Sequence, residues 1–187
     1  MAEMMLSQPE QQKILRYINN LLKARLTHGP EPELDLPGEF LEKKRGIFVT
    51  LKRKGALRGC IGQIIGYEPL RESIRRMALA AAFEDPRFPP LVLNELDGLH
   101  IHVSLLTEPV PVRSYKDIRV GTDGIIVSCG WKKGVYLPEV AIETGWDSKT
   151  FFESCALEKA GIDKTELPGT KIEVFQTEGF GWDEEIS

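Results

Sequence analysis

Two β-rich runs, residues 46–51 and 56–65, stand either side of Lys52-Arg53-Lys54-Gly55, and this spacing constrains the chain more than any other feature. Apolar and β-branched runs joined by a short charged segment ending in glycine make an antiparallel hairpin with its turn in water. The second arm carries Leu57-Arg58-Gly59-Cys60-Ile61-Gly62, which packs a cation, a thiol and two glycines into six residues. Strand alternation sets Arg58, Cys60 and Gly62 on one face, with Leu57, Gly59 and Ile61 on the other. Glycine inside a strand marks a bulge, or a place where a ligand or another backbone comes close. The hexad is therefore the first candidate site.

After the hairpin, Pro69 suits a first helical turn, and Leu70, Ile74, Met77, Ala78 and Ala81 recur at helical spacing. A helix from Pro69 to Phe83 would be about 22 Å long, enough to return the chain beside the hairpin. Pro86, Pro89 and Pro90 then forbid further helix and impose an extended segment holding Asp85, Arg87 and Phe88. This segment is expected to meet the hexad. The candidate ligand- or partner-binding residues are accordingly Arg58, Gly59, Gly62, Asp85, Arg87 and Phe88, and the candidate catalytic residue is Cys60.

Two readings of Cys60 stand side by side. As a nucleophile it would be activated by Arg58, because a neighbouring guanidinium favours the thiolate. As a packing residue it is a small buried hydrophobe, and the glycines are clearances. The sequence puts none of the three histidines, His28, His100 or His102, beside it. Asp85 and Glu95 could pair as acid and base, but spacing alone does not bring two carboxylates together.

Elsewhere, Ser7 and Glu10 form a capping box before an apolar stripe from Ile14 to Leu26, and that helix should end by Gly29-Pro30. Residues 99–106 alternate strictly, with His100, His102 and Ser104 on the polar side. Two histidines without further ligands read as a wet strand face, so no metal site is expected. Residues 124–128 and 135–137 suggest a second hairpin turning within 129–134, and Pro138 begins a short helix. Asp147 or Ser148 can cap another helix that carries Phe151, Phe152 and Cys155 inward before Gly161. A closing strand is expected over 170–176, with Trp182-Asp183-Glu184-Glu185 as a polar tail. Hairpins and separate helices without repeated β–α–β spacing indicate an α+β fold, antiparallel sheets with flanking helices.

Composition argues against several function classes. A net charge of −4 argues against a nucleic-acid binder, and the clusters Lys43-Lys44-Arg45 and Lys52-Arg53-Lys54 read as solvated strand ends. Three cysteines with no Cys-x-x-Cys pair fit reduced thiols in a cytoplasmic protein and give no zinc or iron–sulfur motif. No apolar run approaches the roughly 20 residues of a membrane span. No phosphate-binding glycine loop or His-Glu-x-x-His occurs, so no cofactor is expected.

The hexad, together with Gly46-Ile47-Phe48-Val49-Thr50-Leu51, Ala81-Ala82-Phe83, Asp85-Pro86-Arg87-Phe88, Val103-Ser104-Leu105-Leu106, Leu137-Pro138-Glu139-Val140-Ala141 and Gly145-Trp146-Asp147, resembles the AMMECR1-domain family. That resemblance covers nearly the whole chain. It implies a single domain over 1–187 built as two closely packed, unequal lobes, the second around 110–140. The family has no agreed reaction. Its prokaryotic members carry the name AmmeMemoRadiSam from an association with a Memo-like protein and a radical-SAM protein, which the resemblance implies as partners. This chain lacks the Cys-x-x-x-Cys-x-x-Cys cluster motif and would be the companion of such an enzyme. A cysteine-dependent transferase or hydrolase using Cys60 is the alternative.

Overall fold

A computed structural model describes residues 6–182. The chain divides into two compact units, residues 6–106 with 178–182, and residues 107–177.

In the first unit, α1 (Gln8–Thr27) buries Ile14, Leu15, Ile18, Leu21 and Leu22, the stripe that its sequence period predicts. Its capping box forms: Ser7 donates from both its amide and its hydroxyl to the Glu10 carboxylate. A short helix, α2 (Gly38–Leu41), precedes the hairpin of β1 (Ile47–Arg53) and β2 (Ala56–Gln63). The turn is tighter than the sequence suggests, because Lys54 (φ 50°) and Gly55 (φ 74°) both take left-handed backbone, as a two-residue hairpin turn demands. Lys52 and Arg53 therefore belong to the strand. α3 (Leu70–Phe83) buries Leu70, Ile74, Met77, Ala78 and Ala81 and packs on β1 and β2, whose inward residues are Ile47, Val49 and Leu51. The strictly alternating segment is β3 (Leu99–Leu106). With β8 (Thr177–Gly181) the sheet order is β2-β1-β3-β8, so the hexad strand lies at an edge.

In the second unit, β4 (Val110–Val112), β7 (Lys171–Phe175), β5 (Gly124–Cys129) and β6 (Lys132–Tyr136) form a sheet in the order β4-β7-β5-β6. α4 (Pro138–Thr144) starts at its proline and ends on Gly145 in left-handed backbone. α5 (Ser148–Ser154) is capped by Asp147, which accepts from the Thr150 amide at 2.8 Å. It continues into a wider π turn, Cys155–Lys159, against which Gly134 of β6 packs: a Cβ there would lie 2.8 Å from the Cys155 carbonyl oxygen. Ile125, Val127, Phe151, Phe152, Cys155 and Ile172 make this unit's core.

Four expectations are corrected. Lys132 and Lys133 are strand residues, and the second hairpin turns on Gly130-Trp131. The chain does not close on the strand over 170–176, because β8 (Thr177–Gly181) follows and joins the first sheet. Trp182 is no tail residue: its ring packs against the first core and its indole N–H donates to Gln12 at 3.3 Å. Asp183, Glu184 and Glu185 lie outside the described residues. Arg45 is not a solvated end but is 3% exposed, with its Nε donating to the Leu106 carbonyl at 3.0 Å.

Candidate functional site

At an antiparallel edge, every second residue turns both its N–H and its C=O away from the neighbouring strand. Cys60 is one of these. Its amide donates to Asp85 Oδ2 at 2.9 Å, and its carbonyl accepts from the Arg87 guanidinium at 3.2 Å. The side chains of Asp85 and Arg87 thus stand where an adjacent strand would pair.

The local sequence explains how they are presented. The Phe88 amide donates to the Asp85 carbonyl at 3.1 Å, closing a turn with Pro86 in its second position, where a fixed φ is favourable. Asp85 Oδ1 accepts from the Arg87 amide at 3.1 Å and from its Nε at 2.9 Å, while Oδ2 accepts from its terminal nitrogen at 2.8 Å. Asp85 is 4% exposed, whereas the Arg87 side chain is half exposed. The Arg87 hydrogen bonds first, then the Cys60 amide, hold the Asp85 carboxyl well below the usual carboxylate range.

Arg58 does not sit beside the thiol as plain alternation would have it. Lys52 pairs with Leu57 and Leu51 with Gly59, so Arg58 is an extra residue in a β-bulge and the alternation breaks there. Its Nε and one terminal nitrogen each donate to Glu95 at 2.8 Å, a bidentate pair whose side chains are 11% and 17% exposed. The Arg58 bonds hold the Glu95 carboxyl down at about 2, with help from the Val92 amide. The cation next to Cys60 is Arg87 instead. Phe88 lies between the two pairs, its ring 6.0 Å from the Arg58 guanidinium carbon and 5.6 Å from that of Arg87.

Cys60 Sγ lies 3.2 Å from Thr50 Oγ1 on β1, and the thiol residue is half-buried. On the far side of Thr50 the register places His102, two strand spacings from Cys60 and so about 10 Å away. Asp85 and Glu95, each committed to an arginine, do not pair with one another. The glycines serve packing. A Cβ on Gly59 would lie 2.0 Å from the Ala81 carbonyl oxygen of α3, and one on Gly62 would lie 2.3 Å from the Phe48 ring.

The structure therefore brings Cys60, Asp85, Arg87 and Phe88 together, joins Arg58 to them through Phe88, and places Gly59 and Gly62 as clearances. Sequence reasoning missed Thr50 and the Arg58–Glu95 pairing, because both depend on strand register. Among the described residues, no group of three or more His, Cys, Asp and Glu could hold a metal ion, and no helix is long and apolar enough to cross a membrane.

Cys155 provides an internal control for thiol chemistry, since burial pushes its thiol up to about 12. In the native protein Cys60 should alkylate at least about tenfold faster than Cys155, and Arg87→Met should slow Cys60 more than Arg58→Met does. Peptide mass spectrometry of a timed iodoacetamide reaction reads both rates. Equal native-state rates for the two thiols would remove Cys60 from consideration as a reactive group.

A family model described as AMMECR1 matches residues 15–180. A protein of Methanothermobacter thermautotrophicus is 46% identical over 154 residues, covering 78% of this chain and 79% of its own length. One from Thermococcus gammatolerans is 43% identical over 162 residues, covering 80% of this chain and 78% of its own. The crystal structure of an uncharacterized protein from Pyrococcus horikoshii superimposes with a TM-score of 0.77 at 36% identity, covering 94% of this chain and 93% of that one. On the match to nearly nine-tenths of its length, this chain belongs to the AMMECR1 family.

Proposed function

We propose that this protein is a binding component, cytoplasmic in setting, whose recognition surface is the capped edge around Cys60, Arg87 and Phe88. The partners are the Memo-like and radical-SAM proteins implied by the sequence resemblance. The observation that carries this reading is the commitment of Asp85 and Arg87 to the Cys60 backbone. Those bonds fix a half-exposed guanidinium and a half-buried thiol without requiring either to order on binding, which lowers the entropic cost of association. Arg58, Gly59 and Gly62 act as positioning residues, through the Glu95 pair and the close approach of α3.

Isothermal titration of this protein with the Memo-like protein of the same genome tests the reading. Arg87→Met should weaken association at least about tenfold, the cost of one charged hydrogen-bonding partner, while Lys149→Met on the second unit should leave it unchanged. Unaltered affinity in a folded Arg87→Met variant would count against this surface.

The alternative is a transferase or hydrolase that uses the Cys60 thiolate as nucleophile. It is favoured by one observation, the Arg87 guanidinium held on the Cys60 backbone carbonyl at 3.2 Å, which puts a cation at the same residue as the thiol. His102 is too distant to act as its base, so the proton would have to leave through Thr50 or solvent.

A further inference from the structure

The first unit contains a second site, two strand spacings from the thiol across β1, with a different chemistry. A cavity of about 500 Å³ opens between the first turns of α1 and strands β3 and β8, within the range of small-molecule pockets. Its walls follow from the sequence. Gly179 and Gly181 alternate along β8, and Cβ atoms there would lie 3.1 and 2.9 Å from the His102 ring nitrogens, so the imidazole occupies space that only glycine leaves. Trp182 closes one side, fixed by its indole bond to Gln12. Gln8 and Gln11 add amide groups from the helix.

The charge in this lining has one sign. Lys52 is its single charged side chain, and the register sets it directly opposite His100 on the neighbouring strand. The lining contains no carboxylate. Glu178, close by in sequence, is buried and engaged by the Leu6 amide at 2.9 Å and the Gln11 side chain at 3.3 Å. His100 Nδ1 is buried with no hydrogen-bond partner, a cost a native structure ordinarily avoids. Two imidazoles without a third ligand do not make a metal centre.

We propose that this cavity binds a small organic anion, its carboxylate or phosphate held by Lys52 and His100 and its body lying against Trp182. An anion supplies an acceptor for the Lys52 ammonium and the His100 imidazole, and no carboxylate of the lining competes for them. The proposal is independent of the Cys60 surface and of any partner there.

Titration with inorganic phosphate and, separately, with succinate at constant ionic strength tests it, read from the imidazole carbon-bound proton signals of His100 and His102. Saturable shifts confined to these two histidines and the Trp182 indole are expected. Lys52 is exposed, so Lys52→Met should fold normally and weaken binding at least about tenfold, while Lys149→Met on the second unit leaves it intact. Saturation by phosphate alone assigns a phosphate ligand, and by succinate alone a carboxylate; either supports the site. Absence of saturable shifts with both anions, or binding indifferent to folded Lys52→Met and Lys52→Gln variants, overturns it.

Discussion

Gly59→Ala should destabilise the first unit by about 3 kcal/mol, the upper part of the range for forcing a methyl group into filled space. The added Cβ would stand 2.0 Å from the Ala81 carbonyl oxygen, and that atom is helix backbone, which cannot swing aside as a side chain can. Either β2 leaves its register or α3 lifts from the sheet. Both movements strip apolar area from Ile61, Met77 and Ala81, so the cost spreads beyond one contact. Gly38→Ala is the matched control. No atom lies within 4 Å of its would-be Cβ, and its cost should stay within about 0.5 kcal/mol. Urea midpoints of the two variants decide the matter, and a Gly59→Ala midpoint equal to that of Gly38→Ala would refute the packing account of the hexad.

Removing Glu95 should have an effect of similar size, for an electrostatic reason. Glu95→Ala leaves the Arg58 guanidinium in a site with little solvent, and breaking one side of a buried pair costs about 3 kcal/mol. Arg58→Met should cost less, because its apolar stem still packs and Glu95 retains its bond from the Val92 amide. Acid dependence separates this mechanism from simple loss of packing. Glu95 has a folded pKa depressed from 4.5 to about 2, so its contribution to stability is fully present above about pH 4.5 and declines as pH falls through 2. Asp85 acts in the same direction and is lost at still lower pH. The wild-type protein should therefore lose stability between about pH 4.5 and 2, and Glu95→Gln should show a shallower decline over that window. Equal slopes for the two proteins would show that the pair does not govern acid unfolding.

Much of the architecture follows from residue periodicity. The α1 stripe, the inward face of α3 and the alternation of β3 are statements about which side chains can share a face, and a linear pattern carries that information in full. The starts of α4 at Pro138 and α5 after Asp147 are equally local, since one fixed φ or one capping carboxylate sets each. The meeting of Asp85 with Cys60 is intermediate. A helix of known length ending in prolines implies it, but only the folded sheet shows Cys60 at an edge, where unpaired backbone groups require the partners that Asp85 and Arg87 supply.

Other features were decided by tertiary structure alone. The bulge that turns Arg58 from Cys60 to Glu95 is a one-residue slip in register, and no side-chain pattern encodes it. The return of β8 to the first sheet joins segments far apart in the chain, so local propensity could not distinguish it from a tail. The cavity near Lys52 and His100 depends on that return, because Gly179, Gly181 and Trp182 form its walls. Residue spacing thus determined the elements and the hexad. Which charges face one another was set by strand pairing, since a shift of a single position changes every neighbour across the sheet.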